Sequence, residues 1–566
     1  MDQTQVDIGS MLQDLDGQIS RVVSLSTPIE WVKSTVPTIS PLLSSDKSDD
    51  RVLSMAPDLN TCHASLSDAD RPVSCCPPKR ESEETVIDFQ FPSPSDPVRV
   101  RRPAHLVDPE YVAKYHEALT LMRNLHYTHP HSFKRQADMH CIYCTGAYNQ
   151  LNSSALLKIH RSWLFFPWHR MMIYFHERIL GKLLGDHSFA LPYWNWDAPP
   201  GMVIPGFYVN GSFVDDNRDR SHLPPEVADV NYNVKHGRVA PEDQIKVNLA
   251  FMYNQMVSGA RKTELFMGCF NTAGEEGACN GPGTIEAAPH NTLHTWVGSN
   301  LNPEREDMGA FYSAARDPIF YAHHANIDRL WDVWRELQGG NLDIASPAWL
   351  ETHFYFHDEN ERLVRIKIRD VLNSGKLGYR YEDTDLPWLR ARPRPSIPPR
   401  MARHILKTTE KKNGLRSSAR LVAGFGSQGQ TLDTIVRAKI MRPKWGRSKK
   451  DAEEEEEVLV VYGINVKKDM YAKFDVFINA VNETALGPES REFVGSFVNV
   501  RKGVRIVLKE GDSEKPQQKT TLKLGISEAL EDLEAEEEES IWVSLVPRGG
   551  TGANTTVDGI RIQYIR

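Results

Sequence analysis

The sequence predicts a multidomain chain. A mainly α-helical region over residues 100–340 is followed by a small β-rich region and a C-terminal β-sandwich or barrel-like domain. Three observations carry this. From Asp108 to Leu180 the apolar residues recur at helical spacing. After residue 430 the pattern changes to short β-branched runs bounded by Gly, Pro or Asn. Between the two lies a basic segment with prolines at 393, 395, 398 and 399, the composition of an exposed, protease-sensitive linker that does not pack.

The elements follow in chain order. Residues 1–55 read as a leader. Asp2, Asp7, Asp14 and Asp16 argue against an organelle transit peptide, and no apolar signal core is visible. The segment reads either as a disordered leader or as an atypical targeting or pro-segment. From Ala56 a Pro- and Cys-rich arm leads into a domain spanning 56–340. "DPEYVAKYHEALTLMRNL" opens a helix with Asp108 as N-cap and Pro109 at the first helical position. "LLKIHRSWLFFPWHRMMIYFHERILGKLL" predicts a helix, a break at Pro167 and a second helix. "NQMVSGARKTEL" and "DPIFYAHHANIDRLWDVWREL" also read as helices. Residues 341–390 extend this domain as far as a Tyr-x-Tyr motif, 391–430 form the linker, and 431–566 the β-rich domain. Its strands are "EVLVVYGINV", "AKFDVFINAV", "REFVGSFVNV", "SIWVSLVPR" and "DGIRIQYIR". The runs "DAEEEEE" and "LEAEEEES" read as solvated loops.

With 566 residues and 40% hydrophobic content the chain can bury several cores. A net charge of −8 gives no reason to expect nucleic-acid binding. No apolar run reaches the roughly 18 residues that a membrane span needs, so no integral membrane span is expected. All seven cysteines precede residue 280. Their clustering suggests local staples in an oxidising compartment, with at least one cysteine left for another role.

In "ADMHCIYCTGAY" a histidine directly precedes a C-x-x-C. Cys141 and Cys144 alone could be half a zinc site, a redox dithiol, a disulfide pair or two unrelated cysteines. No second C-x-x-C exists to complete a four-cysteine zinc site. Of the twenty histidines, six stand out as two triplets. The first is His140, His160 and His169. The second is His290 and His294, then His324. His290 and His294 are four apart and share one helix face. A single H-x-x-x-H is weak and, taken alone, reads first as a surface pair. Two triplets in aromatic helical context point to metal. All-imidazole ligation suits copper, zinc, iron or nickel rather than calcium or magnesium.

The motifs "APDLNTC", "CCPP", "HCIYCTGAY", "SWLFFPWHR", "LPYWNWD", "PHNTLHTWVG", "FYSAARDPIFYAHHANIDRLW", "FHDENERLVRIKIRDVLNSGKLGYRY" and "KFDVFIN" resemble those of plant polyphenol oxidases. These are catechol oxidases and tyrosinases with a type 3 dicopper centre. The resemblance runs from about Ala56 to the C-terminus. It implies a four-helix-bundle core and two copper ions. His140, His160 and His169 would bind copper A, and His290, His294 and His324 copper B, with His323 a neighbour rather than a ligand. It also implies disulfides Cys62–Cys76 and Cys75–Cys141 and a thioether between Cys144 and His160. Cys269 and Cys279 remain as an extra disulfide. Phe311 matches the gate over copper A. Asp328 would orient a ligand imidazole, its plainer reading being a surface carboxylate beside Arg329. Glu286 and Asn291 would hold a water near copper B, and Thr295 would sit at the pocket mouth.

The implied activity is oxidation of ortho-diphenols to ortho-quinones with dioxygen reduced to water, in a latent proenzyme. The alternatives are a monophenol hydroxylase of tyrosinase type or a dioxygen carrier. Partners are small phenols, the chain being a monomer or weak dimer. The location implied is the thylakoid lumen of the plastid, with vacuole or cytosol as alternatives. Residues 431–566 would shield the site, with an apolar side chain beside Phe311, until the linker is cut. The family's "DWL" stands here as Ala348, Trp349, Leu350, and "FFYDEN" as "FYFHDEN".

Overall fold

The first long helix, α1 (Pro109–Asn124), begins where the Asp108 carboxylate accepts a hydrogen bond from the Tyr111 amide at 2.8 Å. This N-cap satisfies one of the orphan donors of the first turn. In this computed structural model, described from residue 54 onward except 63–64, 67–71, 79–83, 235–238, 272, 275–279, 338–345, 412–418, 423–428, 468–469 and 501–518, five more helices build the N-terminal core. They are α2 (Phe133–Cys144), α3 (Phe165–Leu184), α4 (Pro241–Tyr253), α5 (Asn291–Val297) and α6 (Ile319–Leu337). Helix α3 packs on α1 and on α6. Nearly all of α3 is buried, which is why its sequence shows apolar residues on every face.

Pro167 does not separate two helices. It lies inside the first turn of α3, where its missing N–H costs nothing, and the residues before Phe165 are irregular. The helix stops at Gly185, whose φ of 68° closes the last turn onto the carbonyls of Gly181 and Lys182. "NQMVSGARKTEL" is likewise not one helix. Asn254–Ser258 prolongs α4 as a wide turn, and only Thr263–Phe266 is helical beyond it.

Short strands tie the ends of this core together. β1 (Val86–Asp88) pairs parallel with β4 (Leu363–Lys367), which pairs antiparallel with β3 (His353–His357). β2 (Arg99–Arg101) pairs parallel with β5 (Tyr379–Tyr381). Cys62 is bonded to Cys76, and Cys75 to Cys141 at the end of α2. Cys269 is disulfide-bonded, while Cys279, its expected partner, lies outside the described residues.

The C-terminal strands form two sheets that share one apolar core. The first runs β11–β10–β13–β8–β6, from β6 (Arg420–Val422), β8 (Val436–Met441), β10 (Ala472–Ile478), β11 (Phe493–Asn499) and β13 (Ser540–Arg548). The second is built on β9 (Glu456–Val466), which pairs with β12 (Thr520–Gly525), β14 (Thr555–Val557) and β15 (Gly559–Ile565); β7 (Gln430–Thr431) pairs with β14. This is a sandwich rather than a closed barrel. Along β11, Phe497 packs into the core between the sheets, whereas Phe493 and Val498 join the core of the helical region. Leu53–Arg566 thus form one compact unit.

The proline-rich segment differs from its sequence reading, because it does pack. Arg394 bridges to Ser490, Ser396 donates to Glu492, and Pro399–Lys411 is a helix, α7, with Ala402 and Leu406 buried. The two buried residues are four apart on one face, so a narrow apolar stripe suffices where composition suggests none.

Candidate metal centre

Helices α2, α3, α5 and α6, the loop before α3 and the wide turn Glu286–His290 before α5 bring all six singled-out histidines into the buried interior. His140 lies on the last turn of α2 and His169 on the first turns of α3, while His160 precedes α3. Their ring centroids are 5.2–5.6 Å apart. His140, Cys144, His160 and His169 place one ligand atom each within 4.8 Å of one another. His290, His294, His323 and His324 do the same. The groups face each other, with His169 and His324 stacked at 4.3 Å and His160 and His290 tilted to each other, 5.7 Å apart.

Backbone carbonyls set the orientation of several rings. His140 Nδ1 donates to Phe311 O at 2.7 Å, His169 Nδ1 to Phe165 O at 2.8 Å, and His294 Nδ1 to Met308 O at 2.8 Å. A protonated Nδ1 leaves the Nε2 lone pair free for a metal. His140 Nε2 and both nitrogens of His324 are buried and have no hydrogen-bond partner among the described residues. Nε2 of His290 and Nε2 of His294 lie 3.1 Å apart, both aimed at one point. Burial lowers the pKa of all these rings, to about 3 for His169 and about 4 for His294, and well below the ordinary value for His140, His290 and His324. Neutral imidazoles with unused lone pairs are the donor set that copper takes.

Phe311 lies flat on His160, with centroids 4.1 Å apart and planes 9° from parallel. Cys144 is buried and takes no part in a disulfide; burial raises the pKa of its thiol, and Sγ lies 4.0 Å from His169 Nε2. Glu286 is 1% exposed, and its Oε1 accepts the backbone N–H of Arg161 at 2.5 Å. Asn291 accepts from His290 Nδ1 at 2.9 Å and donates to Val498 O of β11 at 3.2 Å. The Thr295 hydroxyl turns back to Asn291 O at 3.1 Å.

Asp328 requires a correction. Among the described residues its carboxylate reaches no imidazole and does not pair with Arg329, which binds Asp197 at 3.1 Å. Asp328 is buried and accepts from Arg170, from Arg101 at 3.2 Å, from Tyr379 at 2.7 Å and from Tyr381 at 2.6 Å. Burial opposes its charge, but the guanidinium groups of Arg170 and Arg101 outweigh that and hold its pKa low. The carboxylate ties α6 to α3, to β2 and to the Tyr-x-Tyr strand β5. It anchors the helices that carry His324 and His169 rather than either ring.

Residues missed by the sequence reading lie mainly on β11. Besides Val498, the Asn499 side chain accepts from the Arg161 guanidinium, and Ser496 bonds Asn231 at 3.0 Å. Nothing in local sequence signals these contacts. His323, set aside as a neighbour, has its nitrogens within the second group and its ring near Trp194 and Trp196.

A helical core presenting two opposed clusters of buried neutral imidazoles defines a coupled dinuclear metalloprotein. Residues 130–337 match the common central domain of tyrosinase, 343–394 the polyphenol oxidase middle domain, and 428–564 the chloroplastic polyphenol oxidase C-terminal domain. The chain is 43% identical over 521 residues to the chloroplastic polyphenol oxidase of Malus domestica, covering 90% of this chain and 84% of the relative. It is 44% identical over 509 residues to aureusidin synthase of Antirrhinum majus, covering 88% and 86%. Latent apple tyrosinase superposes with a TM-score of 0.77 at 43% identity, covering 85% of this chain and all of that one. The chain belongs to the plant polyphenol oxidase family. It is a copper enzyme that oxidises phenols, with two copper ions as cofactor and dioxygen as co-substrate.

Proposed function

We propose that the protein oxidises ortho-diphenols to ortho-quinones, two diphenols supplying the four electrons and four protons that convert one dioxygen to two waters. The opposed imidazole groups, joined by the 4.3 Å stack of His169 on His324, are the observation that carries this reading. His140, His160 and His169 hold copper A, and His290, His294 and His324 hold copper B. Bound copper supplies the redox chemistry. The protein supplies dry surroundings and fixed rings. Phe311 presents its ring at the mouth of copper A, Glu286 and Asn291 position the water that takes a proton from a monophenol, and Cys144 bonds through sulfur to a carbon of the His160 ring, the S–H and C–H bonds breaking and their two protons and two electrons passing to dioxygen.

The chain is a latent proenzyme. Supporting this, β11 lies across the segment that carries Glu286 and His290, with Val498 at its point of contact. Val498 is the apolar side chain that fills the mouth, and cleavage between Arg392 and Arg420 releases residues 431–566. The relatives' chloroplastic names support a plastid location, and disulfides favour its lumen.

The test is copper analysis with oxygen uptake on 4-methylcatechol. Wild type binds two coppers per chain. His290→Ala binds one, and its oxygen uptake falls at least about 100-fold, beyond the loss that a supporting residue alone causes. Wild-type turnover in that variant rejects the ligand set.

A further inference from the structure

Arg161 follows His160 and is held in the left-handed conformation, with φ 62°. Its backbone N–H is pinned by Glu286 at 2.5 Å, which fixes where its side chain leaves the site. The guanidinium extends outward and donates through Nη2 to the side-chain oxygen of Asn499. Asn499 is 2% exposed, and its amide nitrogen donates to Met470 O at 2.6 Å, so its oxygen is turned towards Arg161. One residue earlier, Val498 O accepts from Asn291 beside His290. β11 therefore grips the mouth at two points, one beside His160 and one beside His290, whose rings are 5.7 Å apart. A phenol with its ring at the two histidine groups would meet Arg161 on one side and Asn291 on the other once β11 has left.

We infer that Arg161 is a recognition residue for ortho-diphenols that carry a side-chain carboxylate, and that the Asn499 carboxamide occupies the carboxylate position in the uncut chain. This rests on the phenol-oxidase reading above. The physical reason is the geometry of the donor. A guanidinium offers a planar fork that matches a carboxylate with two parallel hydrogen bonds, whereas a carboxamide offers one neutral oxygen. A charged acceptor makes shorter bonds, roughly twice as strong as a neutral one makes. Asn499 is thus a weak occupant that a carboxylate replaces once β11 has left. The site selects for charge at the tail of the substrate, while the histidine groups select for the diphenol head.

The experiment compares kcat/KM for 3,4-dihydroxyphenylacetate and for the neutral 4-methylcatechol, using full-length protein before and after trypsin treatment. In wild type the anionic-to-neutral ratio rises on cleavage and falls again with added salt, as expected for a partly exposed ion pair. In Arg161→Gln the cleaved protein shows a ratio about tenfold lower through KM, without salt dependence, the scale of one lost charge-assisted contact. Arg161→Lys, which keeps the charge but not the fork, recovers part of it and guards against a folding artefact. A ratio equal in wild type and Arg161→Gln overturns the carboxylate site alone. Absence of 4-methylcatechol oxidation by cleaved wild type sinks the phenol-oxidase reading, and this inference with it.

Discussion

The side-chain amide of Asn291 donates to the Val498 carbonyl at 3.2 Å, across 207 residues of sequence, while its oxygen accepts from His290 at 2.9 Å. One carboxamide links a histidine of the second group to the strand that covers the site. Movement of β11 is therefore felt at His290 through this single side chain.

That link shapes the first prediction. Asn291→Gly lowers the rate on monophenols far more than on diphenols, because in the mechanism proposed above the water positioned by Glu286 and Asn291 takes a proton from a monophenol. Rates are measured after trypsin treatment, so that the lost contact to Val498 contributes nothing. Equal losses on the two substrates would remove Asn291 from the base.

A covalent bond between Cys144 and His160 gives a cross-linked peptide pair that survives reducing agent. The motive is a buried thiol in the same 4.8 Å group as the His160 ring. Peptide mapping of copper-loaded protein checks it, and an alkylatable Cys144 there counts against it.

The third prediction concerns the interface. Lys473 is 1% exposed, and its ammonium bonds the Asn231 carbonyl of the helical region and the Asp475 carboxylate of its own strand, each at 3.0 Å. Burial lowers its pKa, and Asp475 works against that. Lys473→Ala leaves Asp475 buried with less compensation, at a cost of about 3–5 kcal/mol. Thermal unfolding shifts down, and the uncut chain becomes more active on 4-methylcatechol. Trypsin cleavage between Arg392 and Arg420 raises wild-type activity several-fold without adding copper. A cut chain whose pieces separate with no rise in activity defeats the shield.

Asp215 supplies a pH prediction. Burial, then the charges of Asp317 and Asp307, raise its pKa from 3.8 to about 8. Between those values the folded protein keeps a proton that the unfolded chain releases. Its contribution to stability therefore falls as pH rises through that window, and levels off above it. Asp215→Asn carries no such proton. Its melting temperature gains on wild type at pH 8.5 relative to pH 5, and a difference independent of pH contradicts the assignment.

The histidine groups were legible because metal ligation imposes local spacing: His290 and His294 are one helical turn apart, and His324 sits in a strongly periodic helix. The anchoring role of Asp328 was not legible. Its partners Arg101, Arg170, Tyr379 and Tyr381 come from three separate elements, and only the folded chain brings them together. The same holds for Val498 and Asn499, whose strand reads like any other. Pro167 misled for a local reason, since a proline marks a helix start as readily as a break. The stripe of α7 was hidden by the prolines and arginines around it.

The pairing of β2 with β5 joins Arg99–Arg101 to Tyr379–Tyr381 in parallel, so the stretch between them is a ring closed by hydrogen bonds and by the carboxylate of Asp328. Closing a circuit of this length is entropically costly, a cost that prior contact between helices α3 and α6 lowers. Once shut, it ties α3 and α6, the helices of His169 and His324, to each other through residues that all precede Glu382. A break downstream opens no part of the ring, whereas a single nick within it frees both ends at once.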